Sequence, residues 1–190
     1  MDGIMRKLPI GIQTFEKLRE GGYLYVDKTA FVWKIASTET PYFLSRPRRF
    51  GKSLLVSTLD AYFRGKKELF QGLAMERLEK EWNVYPVLHL DFSMTKYTAL
   101  SDLLGQLNLN LYDWEKLYGK EEVEGTPAER FRGVIRRAYE QTGKPVVVLI
   151  DEYDAPLLDS NHLPELQNEL REEMRKFFSP LKAQGEYLRF

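Results

Sequence analysis

The chain has 190 residues, of which 43% are hydrophobic and 29% charged, a composition typical of a folded globular domain. Lysine plus arginine balance aspartate plus glutamate at 28 each, so any affinity for nucleic acid or an anionic membrane has to be local. Cysteine is absent and there are only two histidines, which excludes disulfides, cysteine-ligated metal and a histidine-built metal centre. No apolar run reaches the length of a signal peptide or a membrane span, which favours a cytoplasmic protein without membrane contact.

In chain order, short continuous apolar runs alternate with helical patterns. Continuous hydrophobicity is typical of strands that are covered on both faces, as in a parallel sheet. The runs predict strands in YFL at Tyr42, VLHLDF at Val87 and VVVLI at Val146. Apolar spacing predicts helices over residues 52–63, 68–82, 100–118, 127–141 and 163–184. This alternation of strands and helices along the chain predicts an α/β fold with a mostly parallel sheet, and we expect residues 1–190 to form one domain.

Three polar features lie at or near the ends of these predicted elements. Thr126 and Glu129 form a capping box with Pro127 at the first helical position, which predicts a helix start there. Asp27 in YVDKTAF either contacts a nucleotide or caps a helix, and the cap is the favoured interpretation. Asp91, near the carboxyl end of a predicted strand, is a candidate acid at the edge of the sheet where ligands bind in open α/β folds.

The stretch LSRPRRFGKSLL, which begins at Leu44, ends like a phosphate-binding loop. Gly51, Lys52 and Ser53 match the end of G-x-x-x-x-G-K-[ST], in which backbone amides surround phosphate oxygens, lysine neutralises the terminal phosphates and the hydroxyl binds magnesium. Arg46 replaces the leading glycine. Arg48 and Arg49 are expected to add guanidinium contacts to phosphate, and Phe50, Gly51 and Leu54 to contribute to the same nucleotide-binding loop.

The second motif is VVVLIDEYDAP, a buried strand that ends in two acids. Asp151 at its carboxyl end is a candidate to hold Mg²⁺ together with Ser53. Glu152 is a candidate general base for the attacking water. Either motif alone is also explained by a basic turn or an acidic loop, but the two together favour a nucleoside triphosphatase.

These residues also carry a family resemblance. The segments YLYVDKTAFVWKI, FLSRPRRFGKSLLVSTLDAYF, VLHLDFS and VVLIDEYDAPL resemble the AAA-ATPase-like domain of bacterial proteins, whose Walker A loop is arginine-rich. The resemblance covers most of the chain from about Leu8. It implies a P-loop three-layer sandwich of the additional-strand class, with ATP and Mg²⁺ as cofactors, Lys52 and Glu152 as catalytic residues, and a Walker B acid at Asp151.

In that family, the segment similar to EYLRF leads into a strand with a sensor residue and commonly on to a restriction-endonuclease-like domain. The chain is therefore expected to be truncated before the sensor strand, with slow or absent turnover, and any nucleic-acid contact would come through a domain beyond Phe190. Two alternatives stay open. One is a nucleotide-gated interaction module without hydrolysis. The other is a nucleic-acid-binding module that uses Arg46, Arg48, Arg49 and Lys52 on phosphates.

Overall fold

The computed structural model describes residues 7–38, 40–45 and 50–190. The chain divides into a first unit, Met1–Tyr85 with Phe190, and a second unit, Pro86–Arg189. The described part of the first unit is helical. It contains α1 Phe15–Glu20, α2 Thr29–Ala36, α3 Lys52–Phe63, a 3₁₀ turn Lys67–Phe70 and α4 Ala74–Leu78.

Aromatic side chains form much of the core of the first unit. The rings of Phe15 and Phe70 lie 4.9 Å apart and those of Phe70 and Trp82 lie 5.3 Å apart. Phe15, Phe63 and Phe70 are fully buried. Helix α3 contributes Leu59 and Phe63 to this core, which confirms the helix predicted over residues 52–63 and the face on which its apolar residues lie.

Two predictions for the first unit are wrong. Residues 41–45 form no strand, because this short run is not covered on both faces: Tyr42 is 52% and Phe43 is 70% exposed. The ring of Tyr42 instead stacks on Phe190 at 5.8 Å. The single helix over residues 68–82 is interrupted, because Gly72 adopts φ +78°, a left-handed conformation that ends the 3₁₀ turn and separates it from α4.

The second unit alternates strands and helices. Its elements are β1 Val87–Asp91, a 3₁₀ turn Phe92–Met94, α5 Leu100–Tyr118, α6 Pro127–Thr142, β2 Val147–Asp151, α7 Ala155–Asp159, α8 Pro164–Phe178, α9 Pro180–Ala183 and a 3₁₀ turn Gly185–Tyr187. The strands predicted at Val87 and Val146 are confirmed.

β1 and β2 are parallel and in register, from Val87 opposite Val147 to Asp91 opposite Asp151. The chain is thus an α/β protein with a small parallel sheet, and both strands end at the same edge. Beside β2, Val146 makes an isolated parallel bridge to Leu188. The three-layer sandwich stays a prediction.

The core of the second unit lies between the sheet and α5, α6 and α8. Leucines spaced four residues apart, Leu103, Leu107 and Leu111, face it from α5. The rings of Phe131 on α6 and Phe177 on α8 stack at 4.7 Å. This packing confirms the amphipathic pattern predicted for the three helices.

Helix boundaries in the second unit follow the local sequence. At the start of α6, the Thr126 N–H donates to Glu129 Oε2 at 2.9 Å, and the Glu129 N–H donates to Thr126 Oγ1 at 3.3 Å, which confirms the capping box. The helix predicted over residues 163–184 is not continuous. It ends at Phe178, and Pro180, which has no N–H to continue the ladder, begins the short α9.

Gly133 on α6 makes room for a buried ion pair. Glu124 in the loop before α6 accepts hydrogen bonds from Arg137 Nη1 and Nη2 at 2.5 and 3.1 Å, and both side chains are buried. A Cβ at Gly133 would lie 1.6 Å from Glu124 Oε1. The absence of a side chain at this position therefore allows Glu124 to reach Arg137.

We expect Gly133→Ala to lower the free energy of unfolding by about 2 kcal/mol, because displacing Glu124 from a buried pair outweighs the gain in helix propensity. Gly105→Ala is the matched control, since Gly105 is exposed on α5 with no atom near its Cβ position, and it should raise stability by about 1 kcal/mol. Urea unfolding followed by circular dichroism measures both. Equal stabilisation by the two substitutions would contradict the packing described.

Candidate functional site

The first candidate region is the N-terminus of α3. Gly51 precedes the helix as its N-cap with φ +76°, and no atom of a described residue lies within 4 Å of its Cβ position. The left-handed backbone is by itself a reason for glycine at this position. This turn makes Lys52 the first residue of the helix, followed by Ser53.

The backbone amides at this terminus have no acceptor within the described part of the chain. No described side chain caps α3, and the first intrahelical bond runs from the Leu55 N–H to the Gly51 carbonyl at 3.0 Å. The N–H groups of Lys52, Ser53 and Leu54 make no hydrogen bond to a described residue. With no acidic residue in the first turn, these amides and the positive end of the helix dipole favour an anion.

The side chains of Lys52 and Ser53 at the same terminus also have no polar partner among the described residues. Lys52 and Ser53 are partly buried, and across the described ranges neither has an ion pair or a side-chain hydrogen bond. Phe50, just before the turn, is 64% exposed. The predicted contacts of Arg48 and Arg49 lie outside the described residues. The described part of the loop is thus a cationic helix start whose donors have no acceptor among the described residues.

The second candidate region is the carboxyl end of β2. Asp151, the last residue of the strand, is 7% exposed, and its Oδ1 accepts from the Glu152 N–H at 3.0 Å. Among the described residues, its other oxygen has no hydrogen-bond donor and the carboxylate has no ion pair. A buried carboxylate without a cation is unfavourable, and carboxylate oxygen is a preferred ligand of Mg²⁺.

Asp151 therefore fits the magnesium ion that the family resemblance implies. Nowhere in residues 7–38, 40–45 and 50–190 do three or more acidic or histidine side chains gather as a metal site. Mg²⁺ bound with nucleotide keeps several waters and phosphate oxygens in its coordination shell, so it does not require such a cluster.

Glu152 has an unusual backbone. Its φ of +51° is left-handed, a conformation that disfavours residues with a Cβ. Its carbonyl accepts from the Ala155 N–H at 2.9 Å, so the residue turns the chain from β2 into α7. Strained conformations of this kind concentrate at functional sites, which agrees with the choice of Glu152 as a candidate catalytic residue.

Asp154, two residues after Glu152, is a further acid close to the end of β2. Its Oδ1 is buried and has no hydrogen-bond partner among the described residues. It occupies the N-cap position of α7 and makes no side-chain cap bond to the described part of that helix. No pattern in the sequence indicates this lack of a partner.

Asp27 has a structural role. Its Oδ1 accepts from the backbone N–H and the hydroxyl of Thr29 at 2.9 and 2.7 Å, at the start of α2. Its Oδ2 accepts from the Ala74 N–H at 2.7 Å, at the start of α4. The N-cap position of α2 is occupied by Lys28 and not by Asp27, but the Asp27 carboxylate still accepts from the first N–H of α2 and the first N–H of α4, and so joins the starts of two helices within the first unit.

The hydrogen bonds to Asp27 also control its ionisation. Partial burial is the largest single influence and favours the neutral form, but the bonds from Thr29 and Ala74 together outweigh it and lower the pKa of Asp27 below its usual value of 3.8. The ionised carboxylate is therefore the form that stabilises the first unit.

The candidate residues fall in both units. Lys52 and Ser53 belong to the first unit, and Asp151 and Glu152 belong to the second. Their assigned roles remain predictions.

Within the described residues, none of the helices has the combination of length and apolar character that crossing a bilayer requires.

Comparison with known proteins gives two matches. A family model described as "Predicted AAA-ATPase" matches residues 9–190. A protein from Azotobacter chroococcum mcd 1, described as "Uncharacterized protein in vnfD 5'region", is 42% identical over 186 residues. That alignment covers 97% of this chain and 36% of the relative, so the chain spans little more than a third of that protein's length. No solved structure matches.

Asp27→Ala should lower the free energy of unfolding by about 1 kcal/mol at neutral pH, because the carboxylate accepts hydrogen bonds from the first N–H groups of α2 and α4. The lowered pKa means that this contribution is complete above pH 3.8 and is lost as the pH falls through the pKa of the folded state. Urea unfolding at neutral and acidic pH should therefore show a difference between variant and wild type that shrinks on acidification. A difference independent of pH would contradict the role of the charge.

Glu152→Gly should be about 1 kcal/mol more stable than Glu152→Ala, since both remove the carboxylate but only glycine adopts positive φ without strain. Thermal and urea unfolding of the two variants measure this difference. If the Glu152→Ala variant is at least as stable as the Glu152→Gly variant, the left-handed conformation at position 152 is not strained.

Proposed function

Since the chain belongs to the predicted AAA-ATPase family, matched over residues 9–190, we propose that it binds ATP with Mg²⁺ and hydrolyses the terminal phosphate. The observation that carries this proposal is the N-terminus of α3, where a left-handed glycine precedes Lys52 and Ser53 and where the first backbone amides have no acceptor among the described residues. This is the arrangement that favours phosphate at the start of a helix. The fold proposed with it is a P-loop three-layer sandwich of the additional-strand class.

On the cationic side, Gly51, Ser53 and Leu54 are proposed to bind phosphate oxygens through backbone N–H groups. The Lys52 ammonium neutralises the β and γ phosphates, where negative charge accumulates during transfer. Arg48, Arg49 and Phe50 are proposed to complete the nucleotide contacts. The two guanidinium groups replace the donors that a glycine-rich loop would supply through its backbone.

On the anionic side, Asp151 and the hydroxyl of Ser53 are proposed to hold the metal. Magnesium supplies charge neutralisation at the phosphates when bound. Glu152 accepts a proton from water as the water oxygen bonds to the γ phosphorus, and the bond from that phosphorus to the β–γ bridging oxygen breaks to give ADP and phosphate. The buried carboxylate of Asp151, which has no cationic partner in the described part of the chain, supports the metal role.

The activity of any longer protein that contains this chain, including nucleic-acid contacts through a nuclease-like domain, is a separate proposal that rests on the resemblance alone.

The two alternatives to ATP hydrolysis make predictions that differ from those of an ATPase. A nucleotide-gated module would bind ATP without turnover. A nucleic-acid-binding module would bind DNA with a steep salt dependence that Mg-ATP does not change.

Lys52→Ala should weaken Mg-ATP binding by about 10- to 100-fold, because a charge-assisted contact is lost. Glu152→Gln should retain binding and slow hydrolysis by about 10²- to 10⁴-fold, because the proton acceptor is lost. A fluorescent ATP analogue measures binding, and single-turnover assays with excess protein measure hydrolysis.

Lys34→Ala is the matched control, since Lys34 is an exposed lysine on α2 of the same unit and its removal should change neither quantity. Unchanged nucleotide affinity in Lys52→Ala would contradict the phosphate site. Loss of binding in Glu152→Gln equal to that in Lys52→Ala would contradict the separate roles.

A further inference from the structure

The parallel sheet places a second carboxylate beside Asp151. Asp91 ends β1 and is the register partner of Asp151, which ends β2. Neighbouring strands lie about 4.8 Å apart, and in-register residues of a parallel pair project from the same face. Asp91 and Asp151 are therefore adjacent acids on one face of the carboxyl edge.

Each of these acids uses one oxygen locally and leaves the other available. Asp91 Oδ1 accepts from the Ser93 N–H at 2.8 Å, as Asp151 Oδ1 accepts from the Glu152 N–H. Within the described residues, the second oxygen of each has no hydrogen-bond donor, and neither carboxylate pairs with a lysine, arginine or histidine. Two adjacent like charges, one of them nine-tenths buried, favour a cation at this edge.

The local hydrogen bond alone does not account for a charged residue at position 91. Asparagine or serine accepts a hydrogen bond from the backbone two residues on as well as aspartate does, and neither repels Asp151. The side chain of Gln106 on α5 donates to the Asp91 carbonyl at 3.4 Å, and Gln106 accepts from the hydroxyl of Thr95 at 3.0 Å. Helix α5 thus fixes the strand end that carries the extra charge.

Resting on the proposed function, the geometry points to Asp91 as a second metal-positioning residue, which acts with Asp151 by accepting hydrogen bonds from water molecules bound to Mg²⁺. Magnesium retains several waters when it binds with nucleotide phosphates. Carboxylates in its outer shell orient those waters and raise the affinity for the metal. This role gives Asp91 a function in binding the metal and none in binding ATP without metal.

The test uses the 190-residue chain with Mn²⁺ as a spectroscopic substitute for Mg²⁺ and a non-hydrolysable ATP analogue. Electron paramagnetic resonance measures free Mn²⁺, and fluorescence measures binding of the analogue without metal. Asp91→Asn keeps the acceptor for Ser93 and removes the charge. We expect Mn²⁺ affinity to fall by about tenfold, with metal-free analogue affinity not reduced.

Asp113→Asn is the control, since Asp113 is an exposed acid on α5 and its removal should leave both affinities as in the wild type. Circular dichroism checks folding, and Asp91→Ser provides a second neutral variant that keeps an acceptor for the turn. If the wild type binds Mn²⁺ with the analogue and both neutral Asp91 variants match it, the inference is overturned while the proposed function stands. If the wild type shows no saturable binding of analogue or metal, the proposed function itself fails and the inference fails with it.

Discussion

The in-register pairing of β1 with β2 is the constraint on which the second unit depends. Because the strands are parallel, both end at one edge, and the pairing that buries Leu88 and Leu90 against the helices also brings Asp91 and Asp151 together there. The sheet stabilises the unit through its apolar residues and concentrates negative charge at its end. Stability and the proposed metal chemistry thus arise from the same register.

Much of the fold could be predicted because several local signals agree with the packing. Thr126, Glu129 and Pro127 define the start of α6 through hydrogen bonds that the sequence itself specifies. The predictions failed where one residue overrides a periodic pattern. Gly72 interrupts an apolar spacing that looks helical, and the apolar run at Tyr42 forms no strand, with the ring of Tyr42 stacked on Phe190. Apolar periodicity alone carries no information about either effect.

The candidate site was predictable in its residue types but not in its environment. The sequence places Lys52 at a helix start and Asp151 at a strand end, and the structure confirms those local positions. The sequence could not show that Asp151 has no counter-ion among the described residues, because ion pairing depends on contacts between distant segments. The alignment of Asp91 with Asp151 likewise depends on strand register, which a single sequence does not contain.

The left-handed backbone of Glu152 has a consequence for how this chain tolerates change. Glycine would relax the torsion angles at position 152, but it would also delete the proposed proton acceptor. Thermal stability and the proposed hydrolysis therefore cannot both be optimised at this position. A redesign procedure guided by folding energy alone would choose glycine and remove the proposed proton acceptor. Variant libraries that aim at a sturdier scaffold should therefore hold position 152 fixed.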